Sequence, residues 1–274
     1  MRIGASTLVP LALLVTGCGS GQHHAAPRLS RTKLHHVAPS PPKPPIVHGP
    51  HARPVPILMY HVIARAPASA PYPQLFVAPA DFRAQMAWLA RHGYHGVTLR
   101  RAYDYWTRGY ALPPRPVVLS FDDGYLSDYT DAMPVLHRRG WPGVLNLEVH
   151  NVQPGDLTAY QVRALIRAGW EVDAHTLTHP DLTTLDPARL RQEVAGSRAW
   201  IRRRFRVAVD FFCYPAGKYD ARVIAAVRAA GYLAATTVNY GFASPRQGLY
   251  TLDRIRIEGL DGVTGFGRKL LALR

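Results

Sequence analysis

The chain has 274 residues, 47% hydrophobic and 19% charged, which suits one globular domain of about 200–250 residues with a tail, or two small domains. Its 33 Lys and Arg outnumber 18 Asp and Glu, giving a net charge of +15 and a surface that favours anionic partners. No nucleic-acid-binding motif accompanies that charge, so a nucleic-acid partner is excluded and a solvated basic exterior is the plainer account.

Residues 1–18 read as a leader. Met1-Arg2 is followed by a mainly apolar run from Ile3 to Val15, broken by Pro10. The run is shorter than the roughly 20 residues a bilayer span takes and fits the apolar region of a secretory signal. It ends Leu14-Val15-Thr16-Gly17-Cys18, which resembles a bacterial lipobox with Cys18 as the lipidated residue. An ordinary signal peptide with an incidental cysteine is the alternative. Lipidation would place the protein outside the cytoplasm, lipid-anchored to the cell envelope. It would also leave Cys213 without a disulfide partner, as a small buried hydrophobe.

Residues 19–53 are rich in Pro, His, Ser and Gly and show no apolar period, which predicts a disordered, partly polyproline linker. The folded domain is expected over 54–274. Its apolar runs are Val55–Tyr60, Val117–Phe121, Val144–Leu147, Trp170–Ala174, Val209–Tyr214 and Tyr232–Thr237. Between them lie helical stripes: Phe82, Met86 and Leu89; Val162, Leu165 and Ile166; Leu190, Val194 and Ile201; Val223, Ile224 and Val227. Asp186 and Asp220 are placed to cap the last two helices. Gly93-Tyr94, Gly140-Trp141, Gly169-Trp170 and Gly231-Tyr232 each put a glycine where a helix ends and an aromatic residue before the next strand. Repeated βα units predict a mainly parallel sheet of about seven strands, closed or nearly closed as a (β/α) barrel, with an open doubly wound sheet as the other arrangement. The segment 239–250 reads as a loop over the face where the strands end.

Three groups of residues carry chemistry. Asp122 and Asp123, in Ser120-Phe121-Asp122-Asp123-Gly124, are adjacent acids at a buried strand end, where a divalent cation is the simplest partner and a plain Asp-Gly turn is the alternative. His175 and His179, four apart at another strand end, are able to converge on one ion; a chance surface pair is the alternative. Two His and one carboxylate with an open position form a catalytic zinc arrangement. Tyr214-Pro215-Ala216-Gly217 follows a third strand and offers backbone N–H groups near Ala216 to an oxyanion, or is an ordinary strand-to-helix turn. All three fall at the C-terminal ends of parallel strands, where barrels build active sites.

These motifs resemble those of the polysaccharide deacetylase family, which carries the NodB-homology domain. Ser120–Gly124 is similar to its (T/S)FDDG motif, His175–His179 to its H(S/T)xxH motif, and Tyr214–Gly217 to its third motif, over about Pro54 to Arg274. Pro56-Ile57-Leu58-Met59-Tyr60-His61 resembles the start of the poly-β-1,6-N-acetylglucosamine N-deacetylase subgroup. The resemblance implies a distorted (β/α)7-type barrel and metal-dependent removal of N-acetyl groups from an amino-sugar polysaccharide, releasing acetate. It implies Asp123, His175 and His179 as ligands of a divalent metal, Zn2+ first with Co2+ or Ni2+ as alternatives, and Asp122 as base. Two departures stand out: Cys213 occupies the place of the third motif's arginine, which holds the base, and Ala216 replaces its aromatic residue. No histidine follows His179, so His61 is the candidate acid. Tyr60 and Tyr214 are candidates for stacking on sugar rings or for packing. The expected partners are N-acetylated polysaccharide and, through the lipid anchor, a membrane; the expected state is a monomer. A sugar-binding module that lost its chemistry, or a related O-acetyl esterase or amidase, would share much of this sequence.

Overall fold

The structure is a computed structural model that describes residues 51–272. The leader, Cys18 and all but the last residues of the linker lie outside the described residues.

Strands and helices alternate along the chain. The strands are β1 (Ile57–Tyr60), β2 (His95–Val97), β3 (Pro116–Asp123), β4 (Val144–Leu147), β5 (Glu171–Ala174), β6 (Phe211–Cys213), β7 (Ala234–Tyr240) and β8 (Leu252–Arg256). The helices are α1 (Pro79–Arg91), α2 (Leu99–Arg108), α3 (Met133–His137), α4 (Ala159–Arg167), α5 (Pro187–Phe205), α6 (Ala221–Ala229) and α7 (Gly262–Leu271). All strand pairings are parallel, and β1 pairs with both β8 and β3. Seven strands, β1 and β3 to β8, therefore close into a barrel. β2 stands outside the ring and pairs only with the first residues of β3. Closure decides against the open sheet.

The helices form where their apolar stripes predict. α1 buries Phe82, Met86 and Leu89, and α5 buries Leu190, Val194 and Ile201. Asp186 accepts the amides of Ala188 and Arg189, and Asp220 accepts that of Val223, so both caps satisfy donors that a helix start leaves free. The four glycines before the aromatic residues all adopt positive φ. At Gly169, φ is 87° and an added Cβ would meet nothing, so backbone conformation rather than space requires glycine there.

α2 does not lie on the barrel's flank. It packs over the N-terminal ends of the strands, where Leu99, Ala102 and Trp106 join Val55, Ile57, Val118, Phe211 and Leu252 in a second core. Arg100 at its start reaches Asp210 (2.6 Å) and Glu171, beside the first residues of β6 and β5. One end of the barrel is thus plugged, and the C-terminal ends of the strands are left for a site.

The segment 239–250 does not cover that site. Ala243 makes an antiparallel bridge with Val55 ahead of β1, and Leu249 accepts the amide of Ala235 near the start of β7. The segment returns to the plugged end because Val55 and Ala243 are both fully buried there. Tyr60 is also settled as packing: its ring stacks on Phe121, and its hydroxyl donates to Gln85 (2.9 Å).

Candidate active site

Asp122 and Asp123 end β3, and the turn after them sends their side chains to different partners. Asp123 adopts φ 77°, a left-handed conformation rarely taken by residues other than glycine. Six such residues occur among the described ones, and four of them, Asp123, Thr176, His179 and Ala216, belong to this site. Strain of that kind persists only where the surroundings over-determine it.

Asp123 Oδ1 faces two imidazoles, His175 Nε2 at 3.3 Å and His179 Nε2 at 3.6 Å. The oxygen is buried and has no hydrogen-bond partner. His175 Nδ1 lies 2.8 Å from the Cys213 carbonyl, which fixes that nitrogen as the donor and leaves Nε2 with a free lone pair. One ligand atom from each residue lies within 4.8 Å of the others. An orphaned carboxylate oxygen and two imidazoles, one oriented through its far nitrogen, form a donor set that fits a divalent cation.

The loop between the two histidines is clamped from behind. Thr176 Oγ1 accepts the His179 amide (2.9 Å). Glu193, fully buried on α5, accepts the amides of Leu177 (2.8 Å) and Thr178 (3.0 Å) and the Thr178 hydroxyl (2.8 Å), and pairs with Arg189.

Asp122 is held by a different set. Arg254 on β8 donates to both of its oxygens at 2.8 Å, and Asn146 on β4 donates to Oδ1 at 2.7 Å. The arginine missing from the third motif is therefore supplied from another strand. Cys213 Sγ stands 3.2 Å from Arg254 Nη2, so the small thiol leaves room for that guanidinium. Burial alone would raise the Asp122 pKa, but the fork of Arg254 outweighs it and holds the carboxyl far below the usual range. His61, just past β1, places Nε2 3.9 Å from Asp122 Oδ2, and its buried Nδ1 has no partner. Burial lowers the His61 pKa, with Asp122 and Asp123 opposing it.

The third motif contributes a wall. Tyr214 is fully buried, donates its hydroxyl to the Tyr250 carbonyl (3.1 Å) and stacks on Tyr219. Pro215 is buried and does not line the cavity, whereas Ala216 does. The Ala216 amide donates to no group among the described residues. The cavity holds about 560 Å³ and is also lined by Tyr72, Tyr125, Glu148 and Arg256, none of which the sequence motifs marked. Burial, reinforced by Asp123, pushes Glu148 up to about 7.

Residues 109–235 match the family described as polysaccharide deacetylase. A Bacillus subtilis (strain 168) protein, "Putative polysaccharide deacetylase YxkH", is 30% identical over 220 residues, 80% of this chain and 76% of its own length. This chain belongs to the polysaccharide deacetylase family. The Streptococcus pyogenes deacetylase PplD, solved in complex with acetate, superposes with a TM-score of 0.74 at 25% identity, over 81% of this chain and 99% of that one. The poly-β-1,6-N-acetyl-D-glucosamine N-deacetylase of Staphylococcus aureus (strain MRSA252) is 22% identical over 204 residues, 66% of this chain and 67% of its own. The protein is thus an enzyme that deacetylates polysaccharide, on a seven-stranded barrel, with an Asp-His-His set suited to the divalent metal such deacetylases use.

Proposed function

We propose that this deacetylase removes N-acetyl groups from an amino-sugar polymer, a poly-N-acetylglucosamine-like or cell-wall glycan, using a divalent metal, Zn2+ in first place. The observation that carries the proposal is the division of labour between adjacent acids: Asp122 faces a guanidinium, and Asp123 faces two imidazoles. Asp123, His175 and His179 would hold the metal. When bound, it supplies Lewis-acid charge and lowers the pKa of a water it holds.

The remaining steps belong to the chain. Asp122, kept ionised by Arg254, takes a proton from the attacking water at Oδ2, which faces Arg254 Nη2 at 2.8 Å and the Cys213 thiol at a longer 3.7 Å. The Ala216 amide, free to donate, stabilises charge developing on the acetamide oxygen. His61 Nε2, 3.9 Å from Asp122 Oδ2, takes up that proton and gives it to the departing nitrogen as the C–N bond breaks and acetate leaves. Export and lipidation at Cys18 complete the proposal and rest on the sequence alone. Incorporation of labelled fatty acid that survives Cys18→Ala would remove that part.

The test of the reaction is acetate release from β-1,6-linked N-acetylglucosamine oligomers after chelation and after adding back Zn2+, Co2+ or Ni2+. Release should vanish with chelator and return with metal. Asp122→Asn, metal-loaded, should lose about 10²–10⁴-fold in kcat. Release that persists in the chelated enzyme would sink the metal-dependent mechanism. Folded, metal-loaded protein that binds the oligomers without releasing acetate would make the chain a sugar-binding module.

A further inference from the structure

The charge of this protein is arranged along the barrel axis. Each helix that follows a barrel strand starts at the catalytic end and finishes at the plugged end, because the strands are parallel. Arg91 closes α1, Arg138 follows α3, and Arg202, Arg203, Arg204 and Arg206 crowd the end of α5. α2, laid over the same end, adds Arg101 and Arg108. All eight are exposed.

The acids at this end are mostly paired or buried. Asp104, Glu171 and Asp210 surround Arg100, Asp104 also pairs with Arg108 (3.4 Å), Asp253 is held by Gln247 (2.6 Å), and Asp173 is fully buried. Exposed acids gather at the other end, where Asp186 and Asp220 cap helix starts.

Complementing helix dipoles explains one cation per helix terminus. It does not explain four arginines within five residues on α5, or Arg101 in the first turn of α2, where a dipole disfavours a cation. The side chains of Arg202, Arg203 and Arg204 make no hydrogen bond or ion pair among the described residues, so they are not occupied in holding the fold.

The chain also enters the barrel at this end. The Arg53 carbonyl accepts from Trp106 Nε1 (3.0 Å), His51 stacks on Tyr105, and Val55 is bridged to Ala243. The 50 preceding residues, with the apolar run Ile3–Val15 and Cys18, are therefore joined to the arginine-rich end.

We propose that the plugged end of the barrel is a docking face for an anionic phospholipid bilayer, with the catalytic cavity turned away from it. Phosphate headgroups supply the negative charge, and arginine forks match phosphate oxygens. A broad ring of charges around one end suits a plane rather than a cleft. The deacetylase would face outward from the surface to which its own N-terminal segment leads. The proposal does not depend on which polymer the cavity accepts, because lipid binding is read without substrate.

The experiment is vesicle co-sedimentation of the full chain carrying Cys18→Ser, which removes acylation from the comparison. It should pellet with phosphatidylcholine vesicles containing 30% phosphatidylglycerol, stay in solution with pure phosphatidylcholine, and be released by high salt. Arg202→Glu/Arg203→Glu/Arg204→Glu should lower the partition coefficient roughly ten-fold or more, with an unchanged melting curve and unchanged deacetylation of soluble substrate. Arg91→Glu/Arg138→Glu, elsewhere on the ring, should weaken binding in the same direction and keeps the test open if the triple variant misfolds. Arg65→Glu/Arg83→Glu/Arg191→Glu makes the same net-charge change away from that end and should leave binding nearly intact. Equal loss in that control would overturn the proposal in favour of net charge alone. No binding to anionic vesicles would also overturn it, and tight binding to a soluble anionic wall polymer instead would assign the face to that polymer.

Discussion

Asp122 and Asp123 are covalent neighbours with opposite surroundings, and the difference is testable through the groups behind them. Arg254 is 1% exposed and contributes a two-pronged ion pair to a buried Asp122. Arg254→Gln leaves that carboxylate with Asn146 as its main donor and should cost about 3–5 kcal/mol in urea unfolding at pH 7. Because the folded-state pKa of Asp122 is depressed, its contribution is present above the ordinary aspartate value and is lost as pH falls through the folded value. The gap between wild type and variant should therefore narrow below about pH 4; a gap independent of pH would mean lost packing rather than lost charge. Glu193 acts one step further from the chemistry. Its two oxygens receive four donors, three of them from the Leu177–Thr178 stretch between the histidines. Glu193→Gln turns one acceptor into a donor, so the loop should loosen and Co2+ affinity, followed by visible absorption, should fall about 10–100-fold. Unchanged Co2+ affinity would reduce Glu193 to a helix-packing role.

At the scale of elements, the repeated helix–glycine–aromatic–strand unit does two jobs. The glycine ends the helix in the left-handed region, and Trp170 and Trp141, which follow two of these glycines, pack on the neighbouring strands, against Gly143 just before β4 and Gly96 in β2. A Cβ at Gly143 would stand 2.6 Å from the Trp170 ring, and one at Gly96 2.7 Å from Trp141. Gly143→Ala should destabilise by about 1–3 kcal/mol in thermal or urea melts through overpacking. Metal affinity should not change, because the contact lies at the plugged end; loss of affinity without loss of stability would contradict this layering. These units were legible because periodicity and glycine placement are local. β2 was not, since His95-Gly96-Val97 is three residues with no apolar run. β8 was not either: Leu252-Asp253-Arg254-Ile255-Arg256 places a buried arginine in a strand. The signal that could have exposed it is an ionic residue flanked by Leu252 and Ile255, because a buried charge requires a partner. Asn146 in Val144–Leu147 gives the same kind of signal.

The whole molecule couples the site to stability. The proposed metal donor set, Asp123, His175 and His179, joins β3 to the loop after β5, so a cation that binds there only in the folded state would stabilise the barrel by mass action. At one hundred times its Kd, Zn2+ should add about 2.7 kcal/mol, raising Tm by roughly 5–10 °C. Asp123→Ala should abolish the shift; a variant that keeps it would place the ion elsewhere. Sequence by itself determined the βα repeat and the order of the strands, and it placed Asp122, Asp123, His175 and His179 at strand ends, because caps, apolar periods and strand-end motifs are encoded over a few neighbouring residues. It also named His61, whose position past β1 needed only strand order. Tertiary structure alone decided that the ring closes through β1 with β3 and β8, that α2 plugs one end, and that 239–250 returns to that end. It alone brought Arg254 to Asp122 across 132 positions of sequence. Closing the ring depends on pairing between strands far apart in the chain, and no local pattern specifies which distant charge will satisfy a buried carboxylate.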